Sequence, residues 1–266
     1  MTVRVASGVV LGALALALIV LGGTPYALAV IALAGLALFE VYGLAGRIAA
    51  AARPWRSAGI AGSILLLGLL SFAPSWRWTA VAALLLLLGS LASLLIGPLE
   101  VGWSRWAITV AGLIYVGAPC AALILLRDGS SPSGRAWVLV ACAATWGCDT
   151  AAFFVGRAVG RRPFFPGISP KKTLEGTIGG ILGGSVITVG VAWAAGLSHP
   201  LWLIALIGLS GSIAAVLGDL VESAIKRAAG VKDSGTLIPG HGGIMDRIDS
   251  LLFVASLVYC WRLVLG

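Results

Sequence analysis

The chain has 266 residues, of which 59% are hydrophobic and only 11% are charged, and its formal net charge is +8. Soluble domains carry about 25% charged residues, so this composition and the mean hydropathy of +1.05 exclude an ordinary soluble protein. We predict an all-α, polytopic transmembrane helical bundle. At this hydrophobicity, the positive charge indicates membrane lipids and phosphate-bearing substrates as partners. We expect no nucleic acid partner.

Apolar runs recur along the whole chain, and a helix needs about 20 apolar residues to cross a bilayer. The predicted spans are nine, in chain order 5–23, 25–46, 57–73, 78–97, 106–126, 136–156, 177–196, 201–222 and 246–265. The first five form a generic N-terminal region, residues 1–135. The last four belong to a C-terminal region, residues 136–266, which also contains two long polar loops, 157–176 and 223–245.

Lys and Arg fall mostly on one side of this predicted topology, the side that carries both long polar loops. Cytoplasmic loops of membrane proteins carry an excess of Lys and Arg. We therefore expect a cytoplasmic N-terminus, an external C-terminus and polar loops that face the cytoplasm. Such an asymmetry suits a bacterial inner membrane best.

The acidic residues are concentrated in the second half of the chain. Asp149 lies inside the sixth apolar run, and Asp219 and Glu222 lie near the end of the eighth. Ionisable groups at membrane depth are costly and mark functional sites by default. Glu40 lies within an apolar run of the first half, and we interpret it as a structural helix-packing residue.

The spacing of these acids predicts how they meet. Asp219, Glu222 and Lys226 are three and four residues apart, so they share one helix face. Asp246 and Asp249 are also three apart, at the start of the last run. Two helices that enter the membrane from the same side can turn such carboxylates toward each other. Clustered carboxylates without His or Cys partners suit Mg²⁺, and the surrounding bases suit substrate phosphates.

The segment GISPKKTLEGTIGG precedes the seventh run. We expect Ser169 to be a helix N-cap, with Pro170 at the first helical position. Lys171 and Lys172 would then lie on the first turn, where free N–H groups bind anions. A general excess of cytoplasmic positive charge would also explain the two lysines.

The segment PGHGG, residues 239–243, precedes the Asp246 and Asp249 pair. Glycine has no side chain, so its backbone can approach a phosphate closely. His241 is suited either to donate to a phosphate oxygen or to transfer a proton. We predict that this segment is one wall of a site for phosphate and metal.

Residues 223–250, SAIKRAAGVKDSGTLIPGHGGIMDRIDS, resemble the signature of the phosphatidate cytidylyltransferases, also called CDP-diacylglycerol synthases. The positions that match this signature are Ser223, Lys226, Arg227, Lys232, Asp233, His241, Gly242, Gly243, Asp246, Arg247 and Asp249. The segments GDLVESAIKR, SPKKTLEGTIGG and CDTAAFFVGRAVGR extend the resemblance over roughly residues 145–255.

The resemblance implies that CTP and phosphatidic acid react to give CDP-diacylglycerol and pyrophosphate. It also implies that the reaction requires Mg²⁺, with a second cation such as K⁺ possible, and that the protein forms a homodimer. The predicted metal ligands are Asp219, Asp246, Asp249 and, as a weaker candidate, Asp149. The predicted catalytic residues are Lys226, Asp246, Arg247 and His241. The predicted phosphate-binding residues are Ser169, Lys171, Lys172, Ser223, Arg227, Lys232, Gly242 and Gly243. Glu222 and Asp233 would orient neighbouring bases.

Other functions fit less well. A cation-coupled transporter would use Asp149, Asp219 and Glu222 as intramembrane ligands, but it predicts matching polar residues in the first half and leaves PGHGG unexplained. A CTP-dependent polyprenol or dolichol kinase would share a cytoplasmic nucleotide site. A CDP-alcohol phosphotransferase would need a pattern of spaced Asp residues that this sequence lacks.

Overall fold

The structure is a computed structural model that describes residues 2–73, 75–95, 99–127, 133–238 and 242–265. The regular elements in these ranges are helices, because a helix satisfies its own backbone hydrogen bonds in hydrocarbon. They are α1 Thr2–Leu21, α2 Gly23–Ile48, α3 Arg56–Phe72, α4 Trp76–Ala92, α5 Leu99–Gly112, α6 Ala118–Leu126, α7 Gly134–Val159, α8 Leu174–Ala194, α9 Leu201–Ala228 and α10 Met245–Leu265. A 3₁₀ turn, Ser93–Leu95, follows α4, and a π-helical turn, Leu113–Gly117, joins α5 to α6.

Every predicted apolar run corresponds to a helix, with α5 and α6 forming one continuous run. Within the described residues, 7 helical segments are long and apolar enough to cross a membrane, and Ser7–Leu21 and Arg56–Phe72 are shorter apolar helices. The chain is thus a polytopic helical membrane protein, while the nine spans and the orientation stay predictions. Helix α9 continues to Ala228, so residues 223–228, predicted to be loop, are helical.

Small residues bring α7 and α8 into direct backbone contact. Gly176, Gly180 and Gly184 are four residues apart on α8 and face α7. A Cβ at position 180 would lie 2.9 Å from the carbonyl oxygen of Cys148. Small residues allow helices to pack closely, and this packing matters in a bilayer because the hydrophobic effect does not drive helices together there. This contact places the start of α8 beside Asp149 of α7.

A second close contact joins α9 to α10. A Cβ at Gly218 would lie 2.7 Å from the carbonyl oxygen of Asp249. The two helix backbones therefore touch one residue before Asp219. The C-terminal part of α9 and the N-terminal part of α10 consequently lie side by side, at the same end of the bundle as the start of α8.

Helix α2 runs through the core and packs against both α9 and α10. Ala34, Ala37, Leu38 and Tyr42 on this helix are fully buried. In contrast, α4 has no buried residue, and its leucines face outward. Helix α6 also packs against α10, so both α2 and α6 connect the N-terminal region to the C-terminal helices.

Candidate active site

The face of α9 that carries Glu222 and Lys226 contacts the start of α10, which carries Asp246. Lys226 forms an ion pair with Glu222, one turn earlier on α9. Its Nζ also donates to Oδ1 of Asp246 at 2.6 Å. The Glu222 side chain is only 1% exposed, and within the described residues no other donor reaches its oxygens. Lys226 is thus the shared cation of two buried carboxylates.

Asp246 organises the loop that leads into α10. Its Oδ2 accepts hydrogen bonds from the backbone N–H of Gly243 at 2.8 Å and the backbone N–H of Ser234 at 2.8 Å. The Ser234 hydroxyl lies 2.9 Å from the same oxygen. A carboxylate oxygen has two lone pairs, so Oδ2 is saturated. Oδ1, which is shared with Lys226, is the oxygen of Asp246 that remains open to a metal or a substrate.

A cavity of about 550 Å³ lies between α7, α8 and α9. Its charged lining consists of Asp149, Arg157, Lys171, Lys172 and Asp219. Nζ of Lys172 lies 2.6 Å from Oδ2 of Asp219. Oδ1 of the same carboxylate accepts a hydrogen bond from the Ser223 hydroxyl at 3.3 Å. The cavity therefore offers both cationic and anionic groups, as a site for phosphate and metal requires.

Asp249 and Arg247 belong to the same electrostatic network. Asp249 interacts with Asp149, Asp219 and Lys226, and Asp149 interacts with Arg247. The network contains Asp149, Asp219, Glu222, Asp246 and Asp249 against the bases Lys172, Lys226 and Arg247. Carboxylates therefore outnumber bases within this network, while Arg157 and Lys171 add positive charge at the cavity. A bound cation would reduce the repulsion among the carboxylates.

The donor set of this network suits Mg²⁺, because all its anionic ligand atoms are carboxylate oxygens. In the part of the chain that the structure describes, no three His, Cys, Asp or Glu side chains are grouped closely enough to hold a metal by themselves. Mg²⁺ usually binds to one or two carboxylates and completes its coordination with water and substrate phosphates. The residues fit a metal that binds together with its substrate.

The prediction that Ser169 caps α8 is wrong. Helix α8 begins at Leu174, and Thr173 is its N-cap, whose hydroxyl accepts from the Gly176 N–H at 3.2 Å. The chain cannot become helical earlier, because the Phe164 N–H donates to the Lys172 carbonyl at 2.9 Å and the Leu174 N–H to the Arg162 carbonyl at 2.8 Å. Ser169, Lys171 and Lys172 consequently lie in a turn before the helix.

Further predicted residues surround this core. The Arg227 guanidinium donates to the carbonyl oxygens of Ile168 at 3.3 Å and Val231 at 3.0 Å, so it ties the two polar loops together. Lys232 and Asp233 are exposed. Gly242 has a φ of +81°, a conformation that side chains rarely adopt. His241 lies outside the described residues.

The structure places two further acids, Glu175 and Glu40, near the site, and neither was predicted to belong to it. Glu175 accepts hydrogen bonds from the backbone N–H groups of Arg161 and Arg162, at 3.0 and 3.1 Å, and so shapes the loop before α8. Glu40 of α2 is 5% exposed and accepts from the backbone N–H groups of Ile244 and Met245. We interpreted it as a helix-packing residue, but its hydrogen-bond partners lie at the start of α10. The position of Glu40 within an apolar run indicated that this acid has a role, but it did not indicate which residues Glu40 contacts.

Comparison with known proteins agrees with this arrangement. The model of the cytidylyltransferase family matches residues 2–265. A phosphatidate cytidylyltransferase of Bacillus subtilis is 36% identical over 267 residues, covering 96% of this chain and 95% of the relative. One of Synechocystis is 52% identical over 130 residues, covering 48% of this chain and 43% of the relative. One of Brucella suis is 40% identical over 181 residues, covering 63% and 65%.

The match to the family model includes the helices of the first half as well as the site. The relative from Bacillus subtilis likewise aligns with almost the whole chain. The resemblance that the sequence showed over roughly residues 145–255 thus extends to both regions. This chain belongs to the cytidylyltransferase family.

Proposed function

We propose that the protein transfers the cytidylyl group of CTP to phosphatidic acid and releases CDP-diacylglycerol and pyrophosphate, a step of phospholipid biosynthesis. The similar proteins from three organisms carry the name phosphatidate cytidylyltransferase. The observation that carries the assignment in this chain is the cavity with Asp149, Lys172 and Asp219, next to the ion pair of Lys226 and Asp246.

The reaction needs little covalent chemistry from the protein. An oxygen of the lipid phosphate attacks the α-phosphorus of CTP, and the bond to the oxygen that bridges to the β-phosphate breaks. That oxygen leaves with the electron pair as part of pyrophosphate. The attacking phosphate dianion has no proton to lose, so no general base is required. Catalysis then consists of alignment and neutralisation of charge.

The bases of the site divide into two groups by position. Lys171 and Lys172 line the cavity and are suited to bind substrate phosphates. Lys226 lies deeper, between α9 and α10, and is suited to neutralise charge that develops on the transferred group. Arg227 links the two polar loops and would hold this arrangement closed around the substrates.

Mg²⁺ is part of the proposal. Asp219 and Asp249 would hold it together with water and the substrate phosphates, with Asp149 and Asp246 close by, and the bound ion would neutralise phosphate charge. The excess of carboxylates over bases in this network and its oxygen-only ligands support the assignment.

We further propose that the site faces the cytoplasm of a bacterial cell, at its inner membrane. The bases Lys171, Lys172, Lys226 and Arg227 all lie at the site end of the bundle, and cytoplasmic segments of membrane proteins are enriched in Lys and Arg. CTP is a polar, highly charged substrate, so a site that opens to the cytoplasm would meet it directly.

The test uses purified protein in detergent with CTP, dioleoyl phosphatidic acid and Mg²⁺, and follows both CDP-diacylglycerol and pyrophosphate. We expect the two products in equal amounts and no turnover after chelation of Mg²⁺. Asp246→Asn, which weakens the contact with Lys226, should be nearly inactive while eluting as the wild type does.

The assay also separates the competing functions. Consumption of CTP with a polyprenol but without phosphatidic acid would keep the nucleotide site and overturn the lipid substrate. Absence of CTP turnover with any lipid would overturn the transferase itself.

A further inference from the structure

Glu40 connects the N-terminal region to the start of α10. Its Oε1 accepts the backbone N–H of Ile244 at 3.0 Å, and its Oε2 accepts the backbone N–H of Met245 at 2.8 Å. Helix α10 begins at Met245. The first N–H groups of a helix have no partner within the helix, and a negative charge at this end is favourable. Glu40 therefore acts as a cap supplied from another helix.

Ser234 links Glu40 to Asp246. Its hydroxyl oxygen lies 2.8 Å from Oε2 of Glu40 and 2.9 Å from Oδ2 of Asp246. A hydroxyl carries one proton, so it donates to one carboxylate at a time while it holds both at a short separation. Asp246 in turn binds Lys226 through Oδ1. A continuous set of polar contacts thus runs from α2 to Lys226.

Two glycines enclose the Glu40 carboxylate. A Cβ at Gly235 would lie 2.5 Å from Oε1 of Glu40, and its next nearest atoms also belong to Glu40. A Cβ at Gly243 would collide with Oε2 of Glu40 and with the Ser234 hydroxyl. The loop and the carboxylate therefore pack at a distance that leaves no room for a methyl group at either position.

We propose that Glu40 is a positioning residue of the transferase reaction, which fixes the start of α10 so that Asp246 holds Lys226 in the orientation that the reacting phosphates require. The kinetic part of this inference rests on the proposed function. The anchoring of the loop before α10 stands on the contacts alone. Lys171 and Lys172, which line the cavity, do not contact Glu40, so the binding of ground-state substrate should survive its loss better than turnover.

The experiment compares Glu40→Ala, Gly235→Ala and the double variant with the wild type. We expect Glu40→Ala to lower kcat by about 10- to 100-fold, with KM for CTP changed by less than about threefold. Tyr42→Phe is the matched control, because it removes another buried hydrogen bond of α2, from the Tyr42 hydroxyl to the Thr109 carbonyl at 2.7 Å. Its kcat should stay close to the wild-type value.

Gly235→Ala displaces the carboxylate without removing it, so it should also lower kcat. In the Glu40→Ala background the obstacle is gone, and Gly235→Ala should cost nothing further. A penalty of the same size in both backgrounds would overturn the inference, as would a Glu40→Ala enzyme whose kcat is within about threefold of wild type. If Glu40→Ala does not fold, Glu40→Gln replaces it in the comparison of kcat with the wild type, without the double variant, because glutamine keeps the volume that Gly235→Ala would meet. A Glu40→Gln enzyme with both wild-type kcat and wild-type exchange at residues 242–250 would then overturn the inference.

Amide hydrogen exchange separates this inference from the proposed function. Peptides that cover residues 242–250 should exchange faster in Glu40→Ala than in the wild type or in Tyr42→Phe, whatever the substrate is. Unchanged exchange would overturn the anchoring. A wild-type protein that makes no CDP-diacylglycerol would instead remove the proposed function, while the exchange result would still decide whether Glu40 holds the start of α10.

Discussion

Lys226 and Lys172 both pair with carboxylates at the site, but their surroundings differ. Lys226 is 12% exposed and contacts two carboxylates, Glu222 at 1% and Asp246 at 5% exposure. Lys172 is 24% exposed and contacts Asp219, which is 31% exposed and lines the cavity. A partly exposed ion pair contributes little stability, so Lys172 can exchange its partner for a phosphate. The buried lysine holds the site together, whereas the accessible one is available to substrate.

Replacement of the buried lysine should have the largest effect. Lys226→Met keeps an unbranched side chain one atom shorter, but it leaves Glu222 and Asp246 without their shared cation. We expect kcat to fall by about 1,000-fold or more and stability to fall by about 3–5 kcal/mol, the cost of a buried charge pair that has lost one partner. Initial rates and thermal unfolding in detergent measure the two effects.

The double variant Glu222→Gln, Lys226→Met separates these two effects. Removal of the unpaired charge at position 222 should restore much of the unfolding temperature but none of the activity. Recovery of activity together with stability would mean that Lys226 serves only the fold.

Replacement of Asp219, the carboxylate paired with the accessible Lys172, should have the second largest effect. Asp219→Asn removes a proposed metal ligand, and we expect the Mg²⁺ concentration for half-maximal activity to rise at least about tenfold. A titration of activity against Mg²⁺ measures this shift. Glu100→Gln, at an exposed acid of α5, should leave the titration unchanged. An Asp219→Asn enzyme with wild-type Mg²⁺ dependence would exclude this carboxylate from the metal site.

The accessible lysine itself should have a smaller and different effect. Lys172→Gln is expected to raise KM for a substrate by about tenfold, the loss of one charge-assisted contact to phosphate, with a lesser change of kcat. Arg135→Gln, at an exposed base near the opposite end of α7, is the matched control and should leave KM unaltered. A large loss of kcat with constant KM would show that the two lysines have the same role after all.

The smallest effect should come from replacement of Thr173, the N-cap of α8 that follows Lys172 in the chain. Thr173→Ala removes the hydrogen bond to the Gly176 N–H and should lower stability by about 1 kcal/mol, with kcat nearly unchanged. Thr173→Ser keeps the hydroxyl and should behave as the wild type does. Equal unfolding temperatures for the Ala and Ser variants would show that the cap does not stabilise α8.

The helices and one face of the site could be predicted because they depend on local periodicity. Asp219, Glu222 and Lys226 follow the fixed helical spacing, and the contact of Lys226 with Asp246 follows from two helices that meet at the same end of the bundle. The long apolar runs likewise predict helices, since backbone groups in lipid have few other ways to be satisfied.

The parts that escaped prediction depend on contacts between distant segments. Ser169 followed by proline is typical of a helix start, but two backbone hydrogen bonds delay α8 until Leu174. The Phe164 N–H donates to the Lys172 carbonyl, and the Leu174 N–H donates to the Arg162 carbonyl. Glu40 could be singled out as an acid within an apolar run. Its hydrogen-bond partners, the backbone N–H groups of Ile244 and Met245, could not be predicted from the sequence around it.

The cap from α2 also has a consequence for how the protein is made. The hydrogen bond from Ile244 to Glu40 joins residues 204 positions apart, and α10 leaves the ribosome long after α2. Until then the Glu40 carboxylate has none of these donors, and a contact so distant in sequence forms late. Docking of α10 then satisfies that acid and brings Asp246 to Lys226 in the same step. Activity should therefore begin only when the last helix has been inserted, and chains that stop before it should form an inactive and less stable bundle.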